Sequence, residues 1–152
     1  MRVLTVCLGN ICRSPAAQGI LEYIANEQRL ALQVDSAGTA AYHIGKPPDI
    51  RSQESLAQLG IDISNQTARQ VQLKDFYTFE WIVAMDSSNL ASLKKMAPKD
   101  SAAQVVMFGA FESNRNYGEV RDPYYGSDDG FIEMRQHLIT ISKDFVEHLN
   151  NI

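Results

Sequence analysis

The chain has 152 residues, 45% of them hydrophobic, and its 14 Lys and Arg against 18 Asp and Glu leave a formal net charge of −4. That length suits one domain, residues 1–152, with a core of ordinary size, and the acidic balance argues against nucleic acid or an anionic membrane as a partner. No segment is apolar over the length that membrane insertion needs and no export signal is visible, so with two cysteines too close together to staple a fold, a reducing compartment, the cytoplasm, is expected.

Val3, Leu4, Thr5 and Val6 form a short apolar, partly β-branched run, as a buried strand requires. Residues 7–15 then read Cys-Leu-Gly-Asn-Ile-Cys-Arg-Ser-Pro, and a helix follows through Ala16, Ala17, Gly19, Ile20, Leu21, Tyr23 and Ile24. Pro15 suits a first helical turn, and Ser14 is placed to cap it. A second strand is expected over 32–36, running into Ala37-Gly38-Thr39, and a Gly- and Pro-containing loop over 40–49. Ile50, Leu56 and Leu59 have helical spacing up to Gly60. The consecutive Trp81, Ile82 and Val83 predict a strand over 79–85 covered on both faces. A helix opening at Ser87 or Ser88 runs through Leu90, Leu93 and Met96 to Pro98, and a fourth strand is predicted over 104–108. Phe131, Met134, Leu138, Ile141, Phe145 and Leu149 give the last helix its buried face, with acidic residues at its start. Alternation of this kind predicts one α/β domain, a four-stranded parallel sheet with helices on both faces and right-handed crossovers. Sites in such folds gather at the carboxyl ends of strands, where Cys7, Ser36 and Asp86 all fall.

The chemistry begins with the loop between the first strand and helix. Its backbone NH groups lie at the positive end of a helix dipole, so it attracts anions. Gly9 permits close approach, Asn10 tolerates the left-handed conformation, and the NH groups of Leu8, Gly9, Asn10, Ile11 and Cys12 can then turn inward as a nest. Arg13 offers a planar fork for two oxygens of a tetrahedral oxyanion. The same influences favour the thiolate of Cys7, which makes it a candidate nucleophile, and Ser14 can donate a hydroxyl to that sulfur. A cysteine in a buried strand is otherwise a small core hydrophobe, but its place at the head of this loop favours the reactive reading. Two cysteines with no further Cys or suitably spaced His pair do not make a zinc site, and no metal or other cofactor is expected.

The segment 7–15, Ser36-Ala37-Gly38, Ala68-Arg69-Gln70, Met85-Asp86-Ser87-Ser88-Asn89-Leu90 and Asp122-Pro123-Tyr124-Tyr125 together resemble the low-molecular-weight protein tyrosine phosphatases over nearly the whole chain. Asp-Pro alone could simply start a turn; with the resemblance, Asp122 is expected to be the general acid, held by Pro123, with its pKa raised near a thiolate and a phosphate dianion. The resemblance implies metal-independent hydrolysis of phosphotyrosine and aryl phosphates through a phosphocysteine on Cys7. It also implies phosphotyrosine proteins as partners, with a tyrosine kinase acting on Tyr124 or Tyr125. Tyr42, Tyr124 and Tyr125 would wall the pocket, although two tyrosines beside Gly126 also fit a solvated loop. Asn10 and Ser36 resemble a network that holds the loop open, with Asp86 and Arg69 as further scaffold. Many members carry His where this chain has Gln66, which can hydrogen-bond but not carry charge. Cys12 is either a redox partner that protects Cys7 as a disulfide or a filler behind the loop. His43, His137 and His148 read as surface residues. Rival readings are an arsenate reductase, a phosphoarginine phosphatase and a non-catalytic phosphotyrosine-binding module. The first needs a downstream cysteine pair, and no Cys follows Cys12; the second tends to have Thr where Ile11 stands and to lack the tyrosine pair.

Overall fold

Four strands, β1 (Arg2–Cys7), β2 (Gln33–Gly38), β3 (Trp81–Ala84) and β4 (Gln104–Met107), lie parallel in one sheet in the order β2-β1-β3-β4. Among the described residues, five helices connect and cover them: α1 (Arg13–Glu27), α2 (Ile50–Ala57), α3 (Asp75–Thr78), α4 (Ser87–Met96) and α5 (Asp128–Asn150). The computed structural model describes residues 1–112 and 118–152.

Alternation along the strands sends side chains into two cores. Val3 and Val83 face α1 and α5, where they meet Ile20, Leu21, Ile24, Leu138, Ile141 and Phe145. Leu4, Val6, Ile82 and Ala84 face the other way, against Phe76 of α3 and Leu93 of α4. β1 is therefore covered on both faces and flanked by strands on both edges, and its residues from Val3 to Cys7 are all buried. The chain leaves β1 toward β2 and later returns on the other side to β3. This reversal opens a crevice at the carboxyl ends of β1 and β3, where Cys7 and Asp86 stand.

β3 and β4 are shorter than their expected runs because neighbouring turns claim the ends, whereas β1 and β2 extend to Cys7 and Gly38. Phe79 closes α3, so β3 starts at Trp81, and Phe108 enters a tight 3-10 turn, Phe108–Phe111, that ends β4 at Met107. Leu59 and Gly60 lie beyond α2, with Gly60 in the left-handed region at φ 78°. The four-residue α3 had no apolar periodicity to announce it. One predicted cap is corrected: α1 begins at Arg13 with Cys12 in the cap position, so Ser14 lies inside the helix and its hydroxyl is used elsewhere.

Candidate active site

The loop after β1 is held from outside by its carbonyls. The carbonyls of Cys7 and Leu8 accept from Thr39 and Ala40 N–H at 2.9 and 3.0 Å, that of Ile11 from Asp49 N–H at 2.7 Å, and that of Cys12 from the Ser52 hydroxyl at 3.0 Å. Among the described residues, no backbone N–H from Leu8 to Cys12 donates to an acceptor. With four of the loop carbonyls bonded to neighbouring segments, these amides are left without a protein acceptor and are available to an oxyanion. Asn10 makes the turn at φ 59°, and Gly38 must remain glycine, because an added Cβ would lie 2.7 Å from the Leu8 carbonyl oxygen.

Asn10 uses both ends of its amide. Its Nδ2 donates to the Ser14 and Ser36 hydroxyls at 2.8 and 2.9 Å, and its Oδ1 accepts from Arg69 N–H at 3.0 Å. Those bonds offset the strain of the left-handed backbone. Ser14 Oγ lies 3.1 Å from Cys7 Sγ and 3.4 Å from the Ala37 carbonyl oxygen. Asn10 already donates to Ser14 Oγ, so the single hydroxyl proton is left to the sulfur and the more distant Ala37 carbonyl. Gln66 adapts to the position where His is common: its Oε1 meets the Ser36 hydroxyl at 3.5 Å and its Nε2 donates to the Pro15 carbonyl at 3.1 Å. Arg69 pairs with Asp35 and Asp75 at 3.1 and 3.0 Å and so anchors the segment that supports Asn10.

Arg13 is buried, and its guanidinium spans the crevice to Asp86 at 2.7 Å and to the Val120 carbonyl at 3.0 Å, with Asp122 at 3.6 Å on the other nitrogen. Burial pulls its pKa down, but the charges of Cys7, Asp86 and Asp122 outweigh that and raise it, so the fork stays cationic. Asp86 has a second duty, since its Oδ1 caps α4 by accepting from Asn89 N–H at 2.7 Å. The two cysteines differ: burial, then the nearby Asp49 and Cys7, push the Cys12 thiol far up, so it stays protonated. Both thiols are free.

Cys7, Leu8, Gly9, Ile11, Cys12 and Arg13 floor a cleft of about 120 Å³ whose walls are Tyr42, His43, Asp122, Tyr124 and Tyr125. All three expected wall tyrosines thus reach one opening. The Tyr124 and Tyr125 rings stand perpendicular at 4.9 Å, and Asp122 Oδ1 accepts from Tyr124 N–H at 3.1 Å, which fixes the carboxyl relative to the wall. A larger, more open groove of about 680 Å³ runs past Gln18, Glu22, Asp62 and Gln66, but it is lined by no thiol or cationic side chain. Among the described residues, no three His, Cys, Asp or Glu are grouped to hold a metal.

Two features escaped the sequence reading. His43 is a wall residue, half-buried and 6.3 Å from the Tyr124 ring, and His137 bonds Glu112 at 2.8 Å; only His148 is exposed, at the edge of the Trp81 cluster. Asp49 and Arg51, which join the cysteine loop to the segment after Asp122, lay in a stretch read only as loop and helix start. Asp49 after Pro47-Pro48 was a visible N-cap signal, and it does accept from Arg51 N–H at 2.9 Å.

The family model described as low molecular weight phosphotyrosine protein phosphatase matches residues 2–151. A relative of that name from Schizosaccharomyces pombe is 40% identical over 152 residues, covering 98% of this chain and 97% of its own. The crystal structure of a protein tyrosine phosphatase from Entamoeba histolytica superposes with a TM-score of 0.93 at 33% identity, covering 99% of this chain and 97% of that one. The drosophila arginine phosphatase also superposes with a TM-score of 0.93 at 33% identity, covering 98% of each chain. From the cysteine loop to the Asp-Pro-Tyr-Tyr segment, and over nearly its full length, the chain belongs to the low molecular weight phosphotyrosine protein phosphatase family.

Proposed function

We propose that this protein hydrolyses phosphotyrosine and small aryl phosphates through a phosphocysteine on Cys7, with Asp122 as general acid and then base. The observation that carries the reading is the convergence, on one cleft, of Cys7 with its Ser14 contact, the charged Arg13 fork, a loop whose amides have no protein acceptor, and Asp122.

In the first step the Cys7 thiolate attacks phosphorus opposite the leaving oxygen. A P–S bond forms, the P–O bond breaks, and the Asp122 carboxyl gives its proton to the departing phenolate. Arg13 and the loop amides hold the three equatorial oxygens, where negative charge is spread in the transition state. In the second step water attacks the phosphocysteine while the Asp122 carboxylate takes its proton. Inorganic phosphate leaves and Cys7 returns as a thiolate stabilised by Ser14. Positive charge for both steps comes from Arg13 and the amides, so the scheme uses no metal or other cofactor. The walls of Tyr42, Tyr124 and Tyr125 suit a flat phenyl ring over a deep phosphate site, which favours phosphotyrosine over the shorter phosphoserine. Protein partners are then phosphotyrosine proteins, and Tyr125, 96% exposed, is open to a tyrosine kinase. Two thiols suit the reducing cytoplasm. Cys12 lines the same cleft as Cys7, which supports its reading as the redox partner.

The likeness to an arginine phosphatase makes phosphoarginine the second substrate to test, although Ile11 and the tyrosine pair favour the aryl ester. Hydrolysis of phosphotyrosine, phosphoserine and phosphoarginine peptides in EDTA, by wild type and Cys7→Ser, decides. Phosphotyrosine turnover that depends on Cys7 supports the proposal. Turnover of phosphoarginine alone, or full activity in Cys7→Ser, overturns it.

A further inference from the structure

Arg51 does not line the cleft, yet it holds the segment after Asp122. Its Nη2 donates to the Tyr124 carbonyl at 3.0 Å and its Nη1 to the Gly126 carbonyl at 3.4 Å. The guanidinium also stands 5.7 Å from the centre of the Tyr124 ring and 4.5 Å from that of Phe131, the first buried residue of α5. Asp49 fixes the guanidinium from behind, accepting from Nε at 3.1 Å and Nη2 at 3.0 Å, while the Asp49 N–H holds the Ile11 carbonyl of the cysteine loop at 2.7 Å. Two residues at the start of α2 therefore tie together the loop that carries the nucleophile and the loop that carries the carboxyl.

The carboxyl loop needs such a tie. Asp122 is exposed, and its own described side-chain contacts are the Tyr124 N–H and a 3.6 Å approach to Arg13. Pro123 is buried against Gly130, and Gly126 N–H closes a turn onto the Pro123 carbonyl at 2.9 Å. These contacts shape the turn but do not fix its distance from Cys7. The two carbonyls held by Arg51 lie two and four residues after Asp122, and they connect that turn to the cysteine loop through Asp49.

We infer that Arg51 is a positioning residue for the general acid: it sets the height of the Asp122 carboxyl and the Tyr124 wall above Cys7. The inference rests on the assignment of Asp122 as the acid. Losing the tie should impair proton donation to the leaving group and leave thiolate attack intact, a pattern that loss of folded protein cannot produce.

The test is kcat/KM, which reports the first step, for Arg51→Gln, Arg51→Lys, Asp122→Asn and wild type across aryl phosphates of graded leaving-group pKa. Arg51→Gln should lose about 10- to 100-fold on phenyl phosphate and about 3-fold or less on 2,4-dinitrophenyl phosphate, approaching the steep dependence of Asp122→Asn. Arg51→Lys, which keeps the charge and loses the two-pronged grip, should fall between. The rate of Cys7 alkylation by iodoacetate should be unchanged in both. An equal loss along the whole series, or no loss, overturns the inference; if Arg51→Gln does not fold, the slope of Arg51→Lys decides alone. A flat series for Asp122→Asn would instead remove the assignment of the acid.

Discussion

The floor of the cleft and its rim are built by opposite rules. On the floor, Cys7, Asn10, Arg13 and Ser14 are almost fully buried, and their side chains are held by polar contacts with one another and with Asp86. On the rim, Tyr42 is 72% and Tyr125 96% exposed, and their contacts are with other aromatic rings of the rim. Charge stabilisation demands atoms held in place before the substrate arrives, whereas recognition of a flat ring tolerates adjustment. On the proposed mechanism, the fold separates the place where the phosphate reacts from the place where the rest of the substrate is chosen.

Mutations can break this division, and the largest effect belongs to the floor. Cys7→Ser should lose about 10⁴-fold or more in aryl phosphate turnover with no change in thermal midpoint, checked by steady-state kinetics and calorimetry. Arg13→Ala should cost about 10²- to 10³-fold in kcat, because the oxyanion fork goes and Asp86 and Asp122 are left facing the phosphate. Asn10→Ala removes the side chain that joins Ser14, Ser36 and Arg69, so it should lower both kcat, by about 10-fold, and stability, by about 1–3 kcal/mol in denaturant unfolding. Tyr125→Ala, at the other extreme, should raise KM for phosphotyrosine peptides by about 3-fold and leave kcat and stability alone. A large kcat loss in Tyr125→Ala, or none in Asn10→Ala, would erase the distinction between floor and rim.

A smaller test uses pH. The folded state raises the Cys12 pKa above its unfolded value of about 8.5, so its contribution is intact below that pH. Above it the unfolded chain holds fewer protons than the native one, and stability falls as pH rises, by at most about 1.4 kcal/mol per unit for this group. Cys12→Ala should flatten the stability profile between about pH 8.5 and 10, measured by denaturant unfolding across that range.

How much the sequence revealed depended on how local each signal was. The strand, glycine, arginine and proline from Val3 to Pro15 are contiguous, so the loop and its chemistry could be read directly. Only the capping role of Ser14 was misassigned, because capping rules see only neighbours along the chain; its contact with Cys7 could be read from the loop, and that with Asn10 could not. Arg51 and His43 were missed for the same reason, since their partners lie about 75 and 80 residues away, across a contact that no periodicity encodes. Asp86 could be placed at a strand end, but its contact with Arg13 follows only from the pairing of β1 with β3.

The carbonyls of the cysteine loop are pinned by Thr39, Ala40, Asp49 and Ser52, so the cradle is complete before anything enters it. A receptor assembled in advance recognises a tetrahedral dianion whatever is attached to it. Free orthophosphate, the second product, therefore meets the same ready-made seat as the substrate and should compete with it, as should arsenate or vanadate. The enzyme's working rate would then follow the phosphate level of its surroundings, and assays in phosphate buffer would under-report it.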